Sequence, residues 1–418
     1  MAVKIIEMEW SAVNPIQDSS DLAAYDFLQI LVRYHGRPIN YAWIKLYPGQ
    51  PLPELPFIRL EILRQLQLPL MKALVQELLE EAQPVEVDQP VELPFMSVVV
   101  PTRNRANSLR RTLESLKHLD YPPERFEILV VDNAPSDDST RKVVVDFPNF
   151  KYFVEPRPGL EWTRNCGVRA SRGEVVVFTD DDVEVDAGWL KALARQFANP
   201  AIHAVTGLVA PARLETEAEN LFEEFGGFGK GFERSDFALA LKRYWPFPVS
   251  AGVMGTGANM AFRKDVLQAL GGFDPALGAG SLAKGAGDLD MFYRVVRAGY
   301  RLVYEPRALI WHFHRHDLPA LENQFSNYGS GLYAFFTKAF LTDRAFRFRI
   351  ACVALWWFTV HLLFNLFIQR KDKIRRGLYW KQINGALRGP YRYFQSERHR
   401  QKLVSENHGF SILQEKQF

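Results

Sequence analysis

The sequence VVVFTDDD, residues 175–182, joins an apolar run to three adjacent aspartates, Asp180, Asp181 and Asp182. Consecutive apolar residues of this kind are typical of a strand buried on both faces of a parallel sheet. Adjacent carboxylates repel one another, but a hard divalent cation such as Mg²⁺ or Mn²⁺ takes carboxylate oxygens as ligands. For an isolated acidic triplet, a solvated turn is the simpler interpretation. The surrounding sequence favours a metal site.

The stretch around this triplet alternates short apolar strands with helical patterns. The runs SVVV (97–100) and EILVV (127–131) each precede a helical segment, and a further strand near 151–154 and a helix from Glu161 lead to the triplet. This alternation predicts an α/β fold with a doubly wound sheet. Ligands of such sheets bind outside the carboxyl ends of the strands. Because Asp132 and the aspartate triplet both follow strands, the sequence predicts that they form one site.

The 418 residues divide into three predicted parts. Residues 1–93 form a small α+β module with strands at 27–32 and 41–46 and a helix over 62–81, closed by a linker at 83–90. Residues 94–330 form the α/β domain, which includes a closing segment at 304–317. Residues 331–418 form an apolar and basic helical region.

Composition and charge restrict the classes of protein that fit. The chain is 47% hydrophobic and 24% charged, as ordinary globular proteins are. Two cysteines provide no disulfide framework, which fits a reducing compartment. The N-terminus lacks the basic and apolar regions of a secretory signal. From residue 341 onward there are about 15 basic and 5 acidic residues, so the C-terminal region is the basic part of the chain.

The segment ACVALWWFTVHLLFNLFI, residues 351–368, raises the question of a membrane. It is slightly shorter than the ~20 residues of a spanning helix, and His361 and Asn365 interrupt it. Aromatic residues beside the basic cluster RKDKIRR (370–376) are typical of a helix that lies in an anionic headgroup layer. Three interpretations stay open: an interfacial helix, a buried core helix and a membrane span.

Several motifs in order along the chain carry a resemblance. They are SVVVPTRNR (97–105), VVDN (130–133), TRNCG (163–167), DDD (180–182), GANMAFR (257–263), GGFD (271–274), GDLD (287–290) and YEP (304–306) with His312. Together they resemble family-2 glycosyltransferases of the GT-A fold, in a bacterial-type, non-processive form. A processive synthase is disfavoured because no Gln-x-x-Arg-Trp motif follows Gln324.

The resemblance implies a donor site for a nucleotide-diphosphate sugar with Mn²⁺ or Mg²⁺. Asp180 and Asp182 would govern the metal and the ribose, with Asp181 in support and His312 as a further metal ligand. Asp132 would accept a hydrogen bond from the base, and Arg164 would lie near the base or a phosphate. The remaining implied donor residues belong to the end of the first strand and its loop: Pro101, Thr102, Arg103 and Arg105. An Asx turn is the alternative for Asp132, and an exposed helix position is the alternative for Arg164.

On the acceptor side, the resemblance implies Asp288 as the base that removes the proton of the acceptor hydroxyl. Gly287 stands where the family commonly has a glutamate, so the usual acid pair is incomplete. Asp290 is the alternative base, and helix capping is the structural alternative for Asp288. Asn259 falls in an acceptor-side motif. His312, His314 and His316 alternate along a predicted strand, and His314 is the second choice for the site.

The function that follows is transfer of one sugar from a UDP- or dTDP-linked donor to a lipid-linked or cell-surface glycan, by inverting single displacement. The expected partners are the donor, a glycan or lipid-linked acceptor and an anionic membrane, with no nucleic acid. The expected location is the cytoplasm, at the inner face of the cell membrane. A nucleotidyltransferase and a non-catalytic sugar-nucleotide-binding protein are the alternatives.

Overall fold

The computed structural model describes residues 2–12, 22, 24–47, 53–81, 93–241 and 244–406. The N-terminal module is a three-stranded sheet covered by one helix: β1 Val3–Glu9, β2 Phe27–Tyr34, β3 Arg37–Lys45 and α1 Leu55–Glu81. The sequence predicts β2, β3 and α1, but it misses β1, which pairs in parallel with β2. The predicted linker at 83–90 lies outside the described residues.

A tight turn fixes the hairpin of β2 and β3. His35 and Gly36 form its two-residue loop, with φ angles of 48° and 73°. Two positive φ angles are those of a type I′ turn, whose twist matches that of the strands it joins. The hairpin then buries Ile30, Ile44 and their neighbours against Ile62 of α1. The module therefore has a hydrophobic core of its own.

The central domain contains a nine-stranded mixed sheet. Its strands are β4 Met96–Thr102, β5 Phe126–Asn133, β6 Phe150–Glu155, β7 Val175–Thr179, β8 Val183–Val185, β9 Ala204–Pro211, β10 Ser235–Phe237, β11 Asn259–Arg263 and β12 Leu302–His312. The order is β10-β12-β9-β11-β7-β4-β5-β6, and β8 pairs with β12. β7, β4, β5 and β6 are parallel, whereas β11 is antiparallel to both of its neighbours. The predicted α/β class with a mixed sheet is confirmed.

Both faces of this sheet are covered. The domain's helices are α2 Ala106–Leu116, α3 Ser139–Val145, α4 Leu160–Ala170, α5 Trp189–Phe197, α6 Glu217–Glu224, α7 Lys264–Ala269 and α8 Gly287–Arg297. Side chains of a strand alternate between faces, so Val175 and Val177 enter one core and Val176 and Phe178 the other. This double burial explains the continuous apolar run that precedes the aspartates.

A helical C-terminal region follows the sheet. It consists of α9 Leu318–Thr342, α10 Arg347–Trp356, a π-helical stretch Trp357–Phe364, α11 Asn365–Ile368, a 3₁₀ turn Gln369–Lys371 and α12 Lys373–Glu406. Residues 330 and 331, where the sequence suggested a boundary, both lie inside α9. The central and C-terminal parts are thus joined by one continuous helix.

Glycines allow α9 and α12 to cross closely. A Cβ atom at Gly385 of α12 would lie 3.0 Å from the backbone nitrogen of Ser330, and one at Gly389 would lie 2.7 Å from the Ser330 oxygen. On another side of α9, a Cβ atom at Gly331 would approach the carbonyl carbon of Gly285 to 2.7 Å. Only glycine fits such backbone contacts. The helix α9 is therefore held between α12 and the loop that precedes α8.

Candidate active site at the carboxyl ends of the strands

The candidate metal centre consists of Asp180, Asp182 and His312. One ligand atom from each of these side chains lies within 4.8 Å of the other two. The short strand β8 starts directly after Asp182 and pairs with the end of β12, where Val183 is opposite His312. This pairing brings Nε2 of His312 to 3.2 Å from Oδ1 of Asp182. The structure thus brings together all three residues that the sequence predicts as metal ligands.

The donor set of this cluster fits a hard divalent cation. Two carboxylates supply oxygens, which Mg²⁺ and Mn²⁺ prefer, and one imidazole adds a nitrogen. Burial alone would raise the pKa of Asp182, but His312 and Arg105 outweigh burial and lower it. Burial raises the pKa of the half-buried Asp180. Asp182 is therefore ionised and ready to bind a cation, and a cation would also favour the charged form of Asp180.

The middle aspartate is bound to the first strand and its loop. Asp181 accepts a hydrogen bond of 2.7 Å from the hydroxyl of Thr102 and one of 2.9 Å from Arg105. Arg105 also donates to Asp182 at 2.9 Å. Thr102 is the last residue of β4. Pro101 is buried inside that strand, whereas Arg103 is exposed in the following loop. Asp181 therefore ties the acidic turn to the predicted donor loop.

Asp132 lies at the end of the neighbouring strand β5, in register with Thr102. Its side chain is fully buried, and Oδ2 accepts a hydrogen bond of 2.8 Å from the hydroxyl of Tyr152. Oδ1 is buried and has no hydrogen-bond partner within the described part of the chain. Burial raises the pKa of Asp132, although Tyr152 and Thr140 oppose this effect. Asp132 thus carries one buried acceptor oxygen without a hydrogen bond from the described residues.

Arg164 lies between Asp180 of the metal cluster and the loop that contains Gly257. It is buried on α4, where Nη1 donates to Glu161 at 3.0 Å and Nη2 donates to the carbonyl of Gly257 at 3.1 Å. The same Nη2 lies 3.8 Å from Oδ1 of Asp180. The alternative of an exposed helix arginine is therefore wrong.

Asp288 is the second residue of α8 and is half-buried. Its Oδ2 accepts a hydrogen bond of 2.8 Å from the backbone N–H of Gly257, and its Oδ1 accepts one of 2.9 Å from the N–H of Leu289. The helix is not capped by Asp288, because the N-cap position is Ala286 in a left-handed conformation. The capping role suggested by the sequence is wrong, and Asp288 is instead held by the loop that contains Gly257.

The structure commits two predicted acceptor-side residues, Asn259 and Asp290, to partners within the fold. Asn259 is buried and hydrogen-bonded to Trp189, Leu208 and Ala308. Its side chain therefore joins strands and faces no ligand. This contradicts its predicted acceptor-side role.

Asp290 is buried in ion pairs with Arg294 and Lys338, both at 2.8 Å. These cations outweigh the effect of burial and lower its pKa. Asp290 is thus a structural anion and a poor alternative base.

β12 ends at His312, so the predicted strand does not reach His314, whose Nε2 lies 2.8 Å from Glu223. Phe222 and Phe228 pack against His314, whose ring centroid lies 5.6 Å from that of His312. His314 therefore lies next to the metal cluster, with its Nε2 paired to Glu223.

One buried acid of the site was missed by the sequence analysis. Glu161 is the acid nearest to Arg164 on α4 and lies against Gly287. A signal existed, because residues three positions apart on a helix lie on the same face. The pairing of Glu161 with Arg164 could therefore have been expected from their spacing.

A cleft of about 620 Å³ opens beside Asp182. The loop after β4, the start of α2 and the segment after β12 line it. Four arginines contribute to its walls: Arg105, Arg111, Arg213 and Arg315. Positive side chains around a carboxylate cluster suit an anion that shares a cation with the carboxylates.

This sheet carries two aspartates and a histidine after β7 and a further aspartate, Asp132, at the end of β5. Such an arrangement at one edge of the sheet is expected of a nucleotide-sugar glycosyltransferase. Residues 97–271 match the family described as "Glycosyl transferase family 2". The resemblance found in the sequence is therefore confirmed at the level of the family.

Named relatives agree with this family. A "Pre-mycofactocin glycosyltransferase" of Mycobacterium tuberculosis is 30% identical over 233 residues, 53% of this chain and 43% of the relative. "Glycosyltransferase AglE" of Haloferax volcanii is 26% identical over 63% of this chain and 80% of the relative. A "GalNAc(5)-diNAcBac-PP-undecaprenol beta-1,3-glucosyltransferase" of Campylobacter jejuni is 36% identical over 35% of this chain and 48% of the relative. The chain thus spans about half or less of two of these relatives.

Proposed function

We propose that this protein transfers one sugar from a nucleotide-diphosphate sugar, UDP- or dTDP-linked, to a hydroxyl of a lipid-linked or cell-surface glycan. The observation that carries the proposal is the convergence of Asp180, Asp182 and His312 beside the cleft. Asp132 lies at the same edge of the sheet, at the end of β5, which β4 separates from β7. In this proposal the protein is a bacterial-type, non-processive enzyme. The match of residues 97–271 to a glycosyltransferase family supports the reaction class.

Asp180, Asp182 and His312 would hold Mn²⁺ or Mg²⁺. A bound cation would neutralise the negative charge that develops on the departing diphosphate. The arginines of the cleft, among them Arg105 and Arg315, would add fixed positive charge for the same group. The protein thereby supplies electrostatic stabilisation where the leaving group forms.

The free Oδ1 of Asp132 supports recognition of the base. Uracil and thymine both present an N3–H donor, and a buried carboxylate oxygen without a partner is a suitable acceptor for it. The hydroxyl of Tyr152 holds the other oxygen and so fixes the orientation of the carboxylate. This recognition distinguishes the base but does not select the sugar.

Asp288 is the proposed base. The acceptor oxygen attacks the anomeric carbon while the bond from that carbon to the diphosphate oxygen breaks, and the proton of the hydroxyl moves to Asp288. The nucleoside diphosphate leaves with the electron pair of the broken bond, so the anomeric configuration inverts. The N–H groups of Gly257 and Leu289 hold the Asp288 carboxylate in place before this proton transfer.

Peripheral binding to an anionic membrane at the inner face of the cell membrane is part of the proposal. The helical stretch Arg347–Ile368 is long and apolar enough to span a bilayer, and 17% of its apolar window is buried. Low burial argues against the interpretation as a core helix. Phe348, Phe364 and Phe367 are exposed, and a basic cluster follows them. The name of the Campylobacter relative, which includes PP-undecaprenol, supports a lipid-linked acceptor.

A panel of nucleotide sugars tests the reaction. Purified full-length protein would be incubated with each donor and Mn²⁺ or Mg²⁺, and slow donor hydrolysis would be followed by release of nucleoside diphosphate. We expect turnover of at least one UDP- or dTDP-sugar, abolished by chelation and reduced more than ~100-fold in Asp182→Asn. Asp146→Asn, a change at an exposed carboxylate, is the matched control. Release of pyrophosphate would instead indicate a nucleotidyltransferase, and donor binding without turnover would indicate a non-catalytic protein.

A further inference from the structure

Position 287 is a glycine, and the carboxylate of Glu161 lies directly against it. A Cβ atom built on Gly287 would overlap the carboxylate of Glu161 and lie 2.9 Å from its Cγ. A Cβ atom on Gly278 would lie 2.5 Å from Oε1 of the same carboxylate. Glu161 therefore fills the space between two glycines, and this space includes the position of the first side-chain atoms of any residue at 287.

Glu161 is buried, with only 1% of its side chain exposed. Oε1 accepts the hydrogen bond from Arg164, while Oε2 is buried without a hydrogen-bond partner among the residues described. A buried carboxylate oxygen that lacks a partner is costly. Such a group is retained more readily where it serves a site than where it only fills a core.

A short chain of contacts leads from Glu161 to the proposed base. Glu161 orients Arg164, which donates to the carbonyl of Gly257 at 3.1 Å. The N–H of Gly257 in turn donates to Oδ2 of Asp288 at 2.8 Å. A Cβ atom on Gly257 would lie 2.6 Å from Nη2 of Arg164 and 3.2 Å from Oδ2 of Asp288. The four groups are thus packed without spare room.

We propose that Glu161 replaces the acid missing at position 287, as a positioning residue that holds Arg164 and, through Gly257, orients Asp288 for proton abstraction. The inference rests on the proposed function, because Asp288 needs orientation only if it acts as the base. In this arrangement the carboxylate is supplied by α4 instead of α8, and Gly287 is required to make room for it. A second carboxylate therefore lies close to position 287 although residue 287 itself is a glycine.

The test uses variants that remove the carboxylate at position 161, introduce one at position 287, or do both. Donor hydrolysis by Glu161→Ala should fall ~10–100-fold in kcat, the range found when a residue that orients a reacting group is removed. The KM for the donor should change less than kcat, because Glu161 itself contacts none of the metal-cluster residues and reaches the donor side only through Arg164. Gly287→Glu alone should also lose activity, since the new side chain collides with Glu161. The double variant Glu161→Ala with Gly287→Glu should recover at least ~10-fold over Glu161→Ala.

Recovery in the double variant separates positioning from simple support of the fold, because a purely structural ion pair gives no reason for an acid at 287 to restore kcat. Glu127→Ala is the matched control: Glu127 is also buried and ion-paired, but it lies near the opposite end of β5. This control should lose thermal stability without the selective fall in kcat. Glu161→Leu, which keeps most of the side-chain volume but accepts no hydrogen bond from Arg164, replaces the alanine variant if that chain does not fold.

Three results would overturn the inference. The first is a kcat of folded Glu161→Ala or Glu161→Leu within 2-fold of the wild type. The second is a folded double variant no more active than Glu161→Ala. The third is a wild-type chain that hydrolyses no donor, which removes the proposed function as well. If the wild type hydrolyses a donor but replacement of Glu161 leaves kcat unchanged, the inference about Glu161 fails and the proposed function stands.

Discussion

Nη1 of Arg105 lies 2.9 Å from Oδ2 of Asp182, a carboxylate of the candidate metal cluster. A guanidinium group therefore neutralises this carboxylate before any cation arrives. Burial would lower the pKa of Arg105, but the nearby aspartates outweigh burial and raise it, so the arginine stays charged. An entering cation must share Asp182 with this positive charge.

The contact between Arg105 and Asp182 predicts tighter metal binding when the arginine loses its charge. In Arg105→Gln, the affinity for Mn²⁺ without donor should rise about 3- to 10-fold, because a like charge beside the cation is removed. The metal-free variant should also unfold at a lower temperature, since the aspartates then repel one another. Calorimetric titration with Mn²⁺ measures the first effect. Unchanged or weaker binding would contradict the prediction, and Arg110→Gln, an exposed arginine of α2, is the control.

The buried carboxylate of Asp132 leads to a prediction about how tightly the nucleobase of the donor is bound. Asp132→Ala removes the free acceptor oxygen, so the affinity for uridine diphosphate should fall about 10- to 100-fold, as expected for a hydrogen bond to a charged group worth ~1.5–3 kcal/mol. Tyr152→Phe removes only the hydroxyl that holds the other oxygen and should cost at most ~3-fold. Calorimetry in the presence of Mg²⁺ measures both variants. Equal losses in the two variants would indicate that Asp132 orients the strand end without touching the base.

The buried carboxylate of Glu161 leads us to expect that the free energy of unfolding depends on pH. Burial raises its pKa to about 7; Arg164 opposes this effect and Asp288 adds to it. An acid whose pKa is raised by folding costs nothing while protonated and destabilises the fold as the pH rises from about 4.5 to about 7. Relative to Glu161→Gln, the wild-type free energy of unfolding should therefore fall by about 3 kcal/mol across this window. Chemical denaturation at pH 4.5, 6 and 8 measures the difference, and parallel curves for the two proteins would refute it.

The exposed phenylalanines of the C-terminal region predict membrane binding. Full-length protein should co-sediment with vesicles that contain anionic lipid, and Phe364→Ser with Phe367→Ser should reduce the bound fraction several-fold, because apolar contact with the bilayer is lost. Leu68→Ser with Met71→Ser, at exposed apolar positions of α1, is the matched control. Binding should weaken with added salt. Equal recovery of all three proteins with the vesicles would rule out this surface.

Local patterns predicted the main elements of the site. The apolar run 175–178 predicted a buried strand, and parallel pairing then placed Asp132 and the aspartate triplet at one edge of the sheet. The cluster with His312 followed from the family resemblance, since the pairing of β8 with β12 that assembles it joins distant parts of the chain. Local sequence carries no signal for that pairing.

The errors share one physical cause. Asn259 and Asp290 were assigned to the site by motif, but each is committed to a partner far away in sequence, Trp189 and Lys338 respectively. Whether a polar side chain is free for a ligand depends on such distant partners. The compensation between Glu161 and Gly287 has the same character, because it is visible only when α4 and α8 are placed side by side.

The helix α9 would set the distance between a membrane bound at the C-terminal apolar stretch and Asp288. Gly331 of α9 packs against the loop before Asp288, and the helix continues to Thr342, just before the exposed apolar stretch that starts at Arg347. At 1.5 Å per residue, Gly331 and Thr342 are about 16 Å apart along the axis. In the proposed function, a bilayer bound at the far end of this helix would be held at a constant spacing from Asp288, the proposed base. Acceptors anchored in that bilayer would be selected by the height at which their terminal sugar stands above the headgroups.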